Sequence, residues 1–184
     1  MEDALASLWD LVRAAAPDDS LVTVVNPRSR QPVRSPLGRR VRPAVESLLA
    51  ALQAGDREGV AQGTGALAGL GPGLTPAGDD LLVGLMAGLH MWNRPLLGSG
   101  WSAEEACRAI AETAAPRTTT LSAAWLRAAA GGEFAEPWHQ LAAALGGQSR
   151  NELQVAVDRI LREGATSGAD ALAGLLALYL ATLP

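Results

Sequence analysis

Apolar and polar positions follow a helical rhythm along most of the chain. Leu5, Leu8, Trp9 and Val12 share one face of Met1–Ala16, which Pro17 and Asp18 stop. Val45, Leu48, Leu49 and Leu52 repeat the three-to-four spacing over Pro43–Gln53, and Gly55 closes that helix. A weaker helix is predicted over Arg57–Ala68. Ser102 and Glu105 form a capping box for a helix that runs to about Ala115, before Pro116. Further helices are predicted over Leu121–Ala130, Glu136–Leu145, Glu152–Glu163 and Ala169–Thr182. Only Leu21–Val25, "LVTVV", has the short β-branched character of a strand. The expectation is a mostly α protein: one helical bundle over residues 1–184, with a minor β element near the N-terminus.

Two predicted helices, after Asp80 and after Asp170, are apolar on every side. Such helices sit at the centre of a core or in a subunit interface. Their glycines (Gly84, Gly88 and Gly174) would let neighbouring helices come close. The longest apolar runs, Leu81–Trp92 and Ala171–Leu183, fall short of the roughly 20 residues that span a membrane. With no signal-like leader in view, a cytoplasmic protein without membrane partners is expected.

Composition narrows the chemistry. All 15 basic residues are Arg, so a Schiff-base lysine, a pyridoxal phosphate anchor and the lysine of a Walker loop are excluded. One cysteine, Cys107, permits no intrachain disulfide and fits a reducing compartment. With His90 and His139 as the only histidines, a Cys-rich zinc site cannot be built. A net charge of −4 disfavours nucleic acid as a partner. Arg28, Arg30, Arg34, Arg39, Arg40 and Arg42 nevertheless cluster between Ser20 and Val45 with no acidic residue among them. That segment is either an anion-collecting, partner-docking edge or a solvated linker.

Three helix entrances carry the candidate chemistry. The first is "GLGPGLTPAGDDLLVGLM", Gly69–Met86. Its glycines, Gly71, Gly73 and Gly78 among them, present backbone; Thr75 suits an N-cap, Pro76 the first helical position, and Asp79 and Asp80 the first turn. The second, "GATSGADALAGLL" (Gly164–Leu176), repeats it with one residue fewer: Thr166 matches Thr75, Gly168 matches Gly78, Asp170 matches Asp80 and Gly174 matches Gly84. The third, "PRTTTLS" (Pro116–Ser122), sets Arg117 before Thr118, Thr119 and Ser122. Arg offers a planar fork for phosphate or carboxylate, and hydroxyls add donors.

The paired carboxylates have three readings: oxygen ligands for Mg²⁺, a base, or caps of backbone N–H groups. Adjacent helical residues point about 100° apart, so one faces a pocket while the other caps or pairs. Asp80, echoed by Asp170, is expected in the site, and Asp79 as the cap or pair. The residues predict a small-anion pocket in which Asp80, Asp170 and Arg117 are catalytic. Gly71, Gly73, Thr75, Gly78, Asp79, Thr118, Thr119, Ser122, Thr166, Ser167 and Gly168 would bind substrate. No cofactor is expected, apart from Mg²⁺ under the first reading.

These motifs, with "RTTTLSAAWLRAAAGGEFAEPWHQL", resemble in order and spacing the AllH-like (formerly YlbF) subunits of bacterial oxamate carbamoyltransferase. The likeness covers roughly 41–183; members are typically longer at the N-terminus, and 1–40 is where it is poorest. The resemblance implies carbamoyl transfer between phosphate and an oxamate nitrogen, linking oxalurate and carbamoyl phosphate in allantoin breakdown. It also implies companion subunits, including an FdrA-like protein, and a homo-oligomer is compatible with the apolar helices. Two alternatives stand beside it: a non-catalytic anion-binding or structural subunit, and an Mg²⁺-dependent hydrolase using the Asp cluster.

Overall fold

The computed structural model describes residues 2–25, 33, 35–91, 101–147 and 149–181. Among them the helical rhythm becomes nine α-helices. These are α1 (Glu2–Ala15), α2 (Pro36–Ala54), α3 (Arg57–Leu67), α4 (Ala77–Met91), α5 (Ala103–Ala114), α6 (Thr120–Ala130), α7 (Glu136–Gly147), α8 (Arg150–Leu161) and α9 (Ser167–Leu180). The capping box opens α5 as its sequence requires: Ser102 Oγ accepts from Glu105 N–H and Glu105 accepts from Ser102 N–H. No described helix is long and apolar enough to cross a membrane.

Two expectations are corrected. The predicted strand is absent: Leu21–Thr23 forms a single 3-10 turn, and no strand occurs among the described residues. The N–H groups of Val24 and Val25 return to the Leu21 carbonyl, and Leu21 N–H donates to Asp170 Oδ1 at 2.7 Å. An apolar β-branched run with no second strand to pair with satisfies its backbone locally and still buries Leu21 and Val22. Helix α2 also begins seven residues before Pro43. Ser35 caps it, accepting from Gly38 N–H at 2.9 Å, and Pro43 lies inside it. The arginines at 39, 40 and 42 hid the pattern, although Val41 between them is fully buried. Arg28, Arg30 and Arg34 lie outside the described residues, while Arg42 donates to the Val24 carbonyl.

The core centres on α4 and α9, the two helices that are apolar all round. Leu81, Leu82, Leu85 and Met86 of α4 and Leu172, Leu175 and Leu176 of α9 are wholly enclosed. Helices α5 and α6 lie against α4, α1 and α8 against α9, α2 against α3 and α7 against α8. At the centre the contact is backbone on backbone. Gly84 rests on the carbonyl of Ala171, and Gly174 rests on the carbonyl of Leu81. Each glycine faces the residue three positions before the other's glycine, so the crossing has a local two-fold pattern.

The same pairing extends backwards. Gly78 lies on the Leu67 carbonyl at the end of α3, and Gly168 lies on the Ile160 carbonyl near the end of α8. The short internal repeat is therefore a repeated helical hairpin, α3–α4 and α8–α9, with glycines at matching packing points. A methyl at Gly84 or Gly174 would overlap a carbonyl oxygen. Gly84→Ala and Gly174→Ala are each expected to lose about 3 kcal/mol of unfolding free energy. Gly146→Ala, at a position with open space around it, should lose less than about 1 kcal/mol. Urea denaturation followed by circular dichroism checks the contrast.

Candidate functional site

The Gly-rich loop before α4 is held by Asp79. This carboxylate is fully buried; its Oδ1 accepts from Gly69 N–H at 2.8 Å and its Oδ2 from the hydroxyls of Thr118 and Ser122. Thr119 Oγ1 caps α6, accepting from Ser122 N–H at 3.1 Å, and its hydroxyl donates to the Leu74 carbonyl. The entrances of α4 and α6 are thus fastened together, with Asp79 as the cap and pair. Gly71 and Gly73 turn this loop at φ 123° and 96°, values a residue with a Cβ rarely adopts.

The entrance of α9 meets that of α4 from the other side. Thr75 Oγ1 and Ser167 Oγ lie 2.9 Å apart. This bond replaces the N-cap expected of Thr75; α4 instead begins after Pro76, whose carbonyl accepts from Asp80 N–H. The three entrances therefore converge on the start of α4.

Beside the entrances of α4 and α9 opens a cavity of about 350 Å³. Thr75, Asp80 and Ser167 line its polar side, with Glu133, Glu163 and Gly164; Val83, Trp125, Phe134 and Trp138 form apolar walls. His90, in the last turn of α4, braces one wall: its Nε2 lies 3.1 Å from the Ala129 carbonyl and its ring meets Phe134 edge-on. No Arg or His is among the described lining residues.

Asp80 is the chemically distinctive group. Burial raises its pKa to about 7; the nearby Asp170 and Asp79 carboxylates push the same way, against the hydroxyls of Ser167 and Thr75. Its Oδ2 is enclosed and accepts no hydrogen bond. Asp170, its counterpart in the repeat, lies beneath the site. It accepts from Leu21 N–H and Thr166, and burial raises its pKa to about 6. Burial likewise pushes the Glu163 carboxyl upward, and lifts the Cys107 thiol to about 12, so Cys107 is a core residue.

The other sequence candidates lie around the cavity without lining it. Arg117 is exposed and donates to the Thr113 carbonyl. The N–H groups of Gly78 and Gly168 are taken by the carbonyls of Leu70 and Glu163, so both glycines act as packing points. Thr118, Thr119 and Ser122 are engaged in fastening the loop. Among the described residues no three His, Cys, Asp or Glu side chains gather as a metal site. Sequence reasoning missed Glu133, Phe134 and Trp138, whose signal was their place in "GGEFAEPW", directly after the third entrance. It also missed Gly164, the first residue of the second entrance, and Glu163 just before it.

Two outcomes test this arrangement. Asp79→Ala leaves a buried N–H and two hydroxyls unpaired and should cost about 3–5 kcal/mol in chemical unfolding. Asp80→Asn should instead stabilise the fold. The folded-state pKa of Asp80 lies above its unfolded value, so stability present below pH 4 is lost as pH rises towards 7. Removing the ionisation should therefore leave melting unchanged at pH 4. At pH 8, with allowance for partial exposure, it should gain about 1–2 kcal/mol. Melting curves across that range check it.

The family model described as oxamate carbamoyltransferase subunit AllH matches residues 67–179. No solved structure matches the chain. The matched segment runs from the last residue of α3 to Tyr179 in α9, and so takes in all three entrances, the glycine crossing and every residue that lines the cavity. The chain belongs to the AllH family of oxamate carbamoyltransferase subunits.

Proposed function

We propose that this subunit provides the carbamoyl-handling half of a carbamoyltransferase acting on small anions of the oxamate, oxalurate and carbamoyl phosphate class. The observation that carries the reading is a cavity lined by Asp80, which has one oxygen without a hydrogen-bond partner, and by the Thr75–Ser167 hydroxyl pair beside it. A carbamoyl group has N–H donors at one end and a carbonyl acceptor at the other. The Asp80 carboxylate suits the first and the paired hydroxyls suit the second.

In the direction that consumes carbamoyl phosphate, the oxamate nitrogen attacks the carbamoyl carbon. A carbon–nitrogen bond forms, the carbon–oxygen bond to phosphate breaks, and phosphate leaves with the bonding pair. The nitrogen gives up one proton, and Asp80 is the acceptor within the cavity. A pKa near 7 fits a group that takes and returns a proton at neutral pH. The Thr75 and Ser167 hydroxyls, turned from each other and from Asp80, would stabilise the negative charge that develops on the carbonyl oxygen. Trp125, Phe134 and Trp138 give the cavity apolar walls, which would limit hydrolysis of the carbamoyl group once the mouth is covered. A place in nitrogen catabolism in the cytoplasm is part of the same proposal.

The arrangement favours this over the Mg²⁺-dependent hydrolase, because Asp79 and Asp170 each have hydrogen-bond donors of their own. In the assembly reconstituted with its companion subunits, Asp80→Asn should lower kcat for carbamoyl transfer by about 100-fold or more. Ser167→Ala should lower it by about 10-fold to 100-fold. Full activity in Asp80→Asn would sink the catalytic role and leave the chain as a binding or structural subunit.

A further inference from the structure

The cavity has an acidic side, an apolar rim and, among the described residues, no lining arginine. Asp80, Glu133 and Glu163 supply three carboxylates. The arginines of α6 and its entrance do not answer them: Arg117 turns to the Thr113 carbonyl, and Arg127 lines a separate groove with Arg108 and Glu112 against α5. Yet the proposed substrates carry phosphate or carboxylate, which need cationic partners. Beside the mouth three large apolar side chains stand in solvent. Leu74 is 72% exposed, Leu121 45% and Trp125 52%. Leu121 and Trp125 are one turn apart on α6, Ala124 is exposed between them, and the Thr119–Leu74 hydrogen bond holds the loop tip beside them. Trp125 belongs to both features, since it also lines the cavity.

We propose that the Leu74–Leu121–Trp125 rim is the docking face of a companion protein that closes the cavity and places a basic side chain at its mouth. The inference rests on the reading of the cavity as a carbamoyl-transfer site. The half-exposed tryptophan within an apolar patch is the kind of residue that anchors an interface. The charge pattern selects the occupant. A second copy docked face to face on this rim presents the same acidic cavity, with no arginine among its described lining residues, whereas a partner with Arg or Lys satisfies both the carboxylates and the anionic substrate. The substrate-binding residues are then divided: this chain holds the nitrogen end and the partner holds the phosphate or carboxylate.

The experiment is hydroxyl-radical footprinting of the full chain, alone and in the reconstituted assembly, joined to sedimentation and association measurements. Leu74, Leu121 and Trp125 should be labelled in the isolated chain and protected at least five-fold in the assembly. Leu121→Ser, which does not line the cavity, should weaken association at least ten-fold without changing the melting temperature. Glu133→Gln should reduce the salt dependence of association. An active assembly with an unprotected rim overturns the docking face, and so does an isolated chain that forms a dimer which Leu121→Ser dissociates. An unchanged salt dependence in Glu133→Gln overturns the basic partner. A protected rim on an assembly without carbamoyl transfer keeps the docking face and overturns the catalytic reading instead.

Discussion

Helices α4 and α9 touch through their backbones, and the rest of the molecule is arranged around that contact. Gly84 and Gly174 are each the eighth residue of their helix, and each lies on a carbonyl of the other. With no Cβ between them, two apolar helices pack at a distance that ordinary side chains forbid. The crossing lies about two turns in, so it also sets the distance between the two N-termini. Thr75 and Ser167 meet there, and the cavity exists because those ends converge while α6 and the segment before α7 stand back from them. Close packing at the centre of the bundle and an open site at its end are consequences of one geometry.

Three aspartates near that end show how far environment outweighs residue type. Asp79 has three donors and is spent on holding the glycine loop to α6. Asp170 is spent on the 3-10 turn that brings the N-terminal segment against α9. Asp80 keeps an enclosed oxygen without a donor, and desolvation raises its pKa towards neutrality. The fold therefore tolerates an electrostatic cost at Asp80 that it avoids at Asp79, as expected where a carboxylate serves chemistry rather than stability. The repeat makes the contrast sharper, because Asp80 and Asp170 occupy matching positions in matching hairpins. What separates them is the neighbour: Leu21 covers one, and the cavity adjoins the other.

Most of the helices were legible from periodicity and caps. The capping box of α5, the stop after α1 and the all-apolar character of α4 and α9 are local properties, and local physics is enough to predict them. The exceptions have identifiable causes, and the first of them is tertiary. "LVTVV" has strand propensity but no partner strand, and burial against α9 overrode the propensity. The start of α2 was concealed by arginines and by a proline that the helix accommodates in its interior. At the site, the three entrances, the pocket-facing Asp80 and the capping Asp79 were readable from spacing and from the repeat. Arg117 shows where such reading stops: an arginine beside hydroxyls looks like an anion grip in one dimension, but its side chain turns back to Thr113.

The sequence by itself determined a helical chain, two glycine-bearing central helices, and a set of polar residues concentrated at three helix starts. Those follow from propensity, capping and periodicity, which act over a few residues. Only the tertiary structure decided that the three starts meet and that Glu133, Phe134, Trp138 and Glu163 join them. It also decided that no described arginine lines the cavity and that one aspartate of three keeps an oxygen free. Side-chain direction and desolvation depend on which distant residue lies opposite, and that is set by packing rather than by neighbours along the chain.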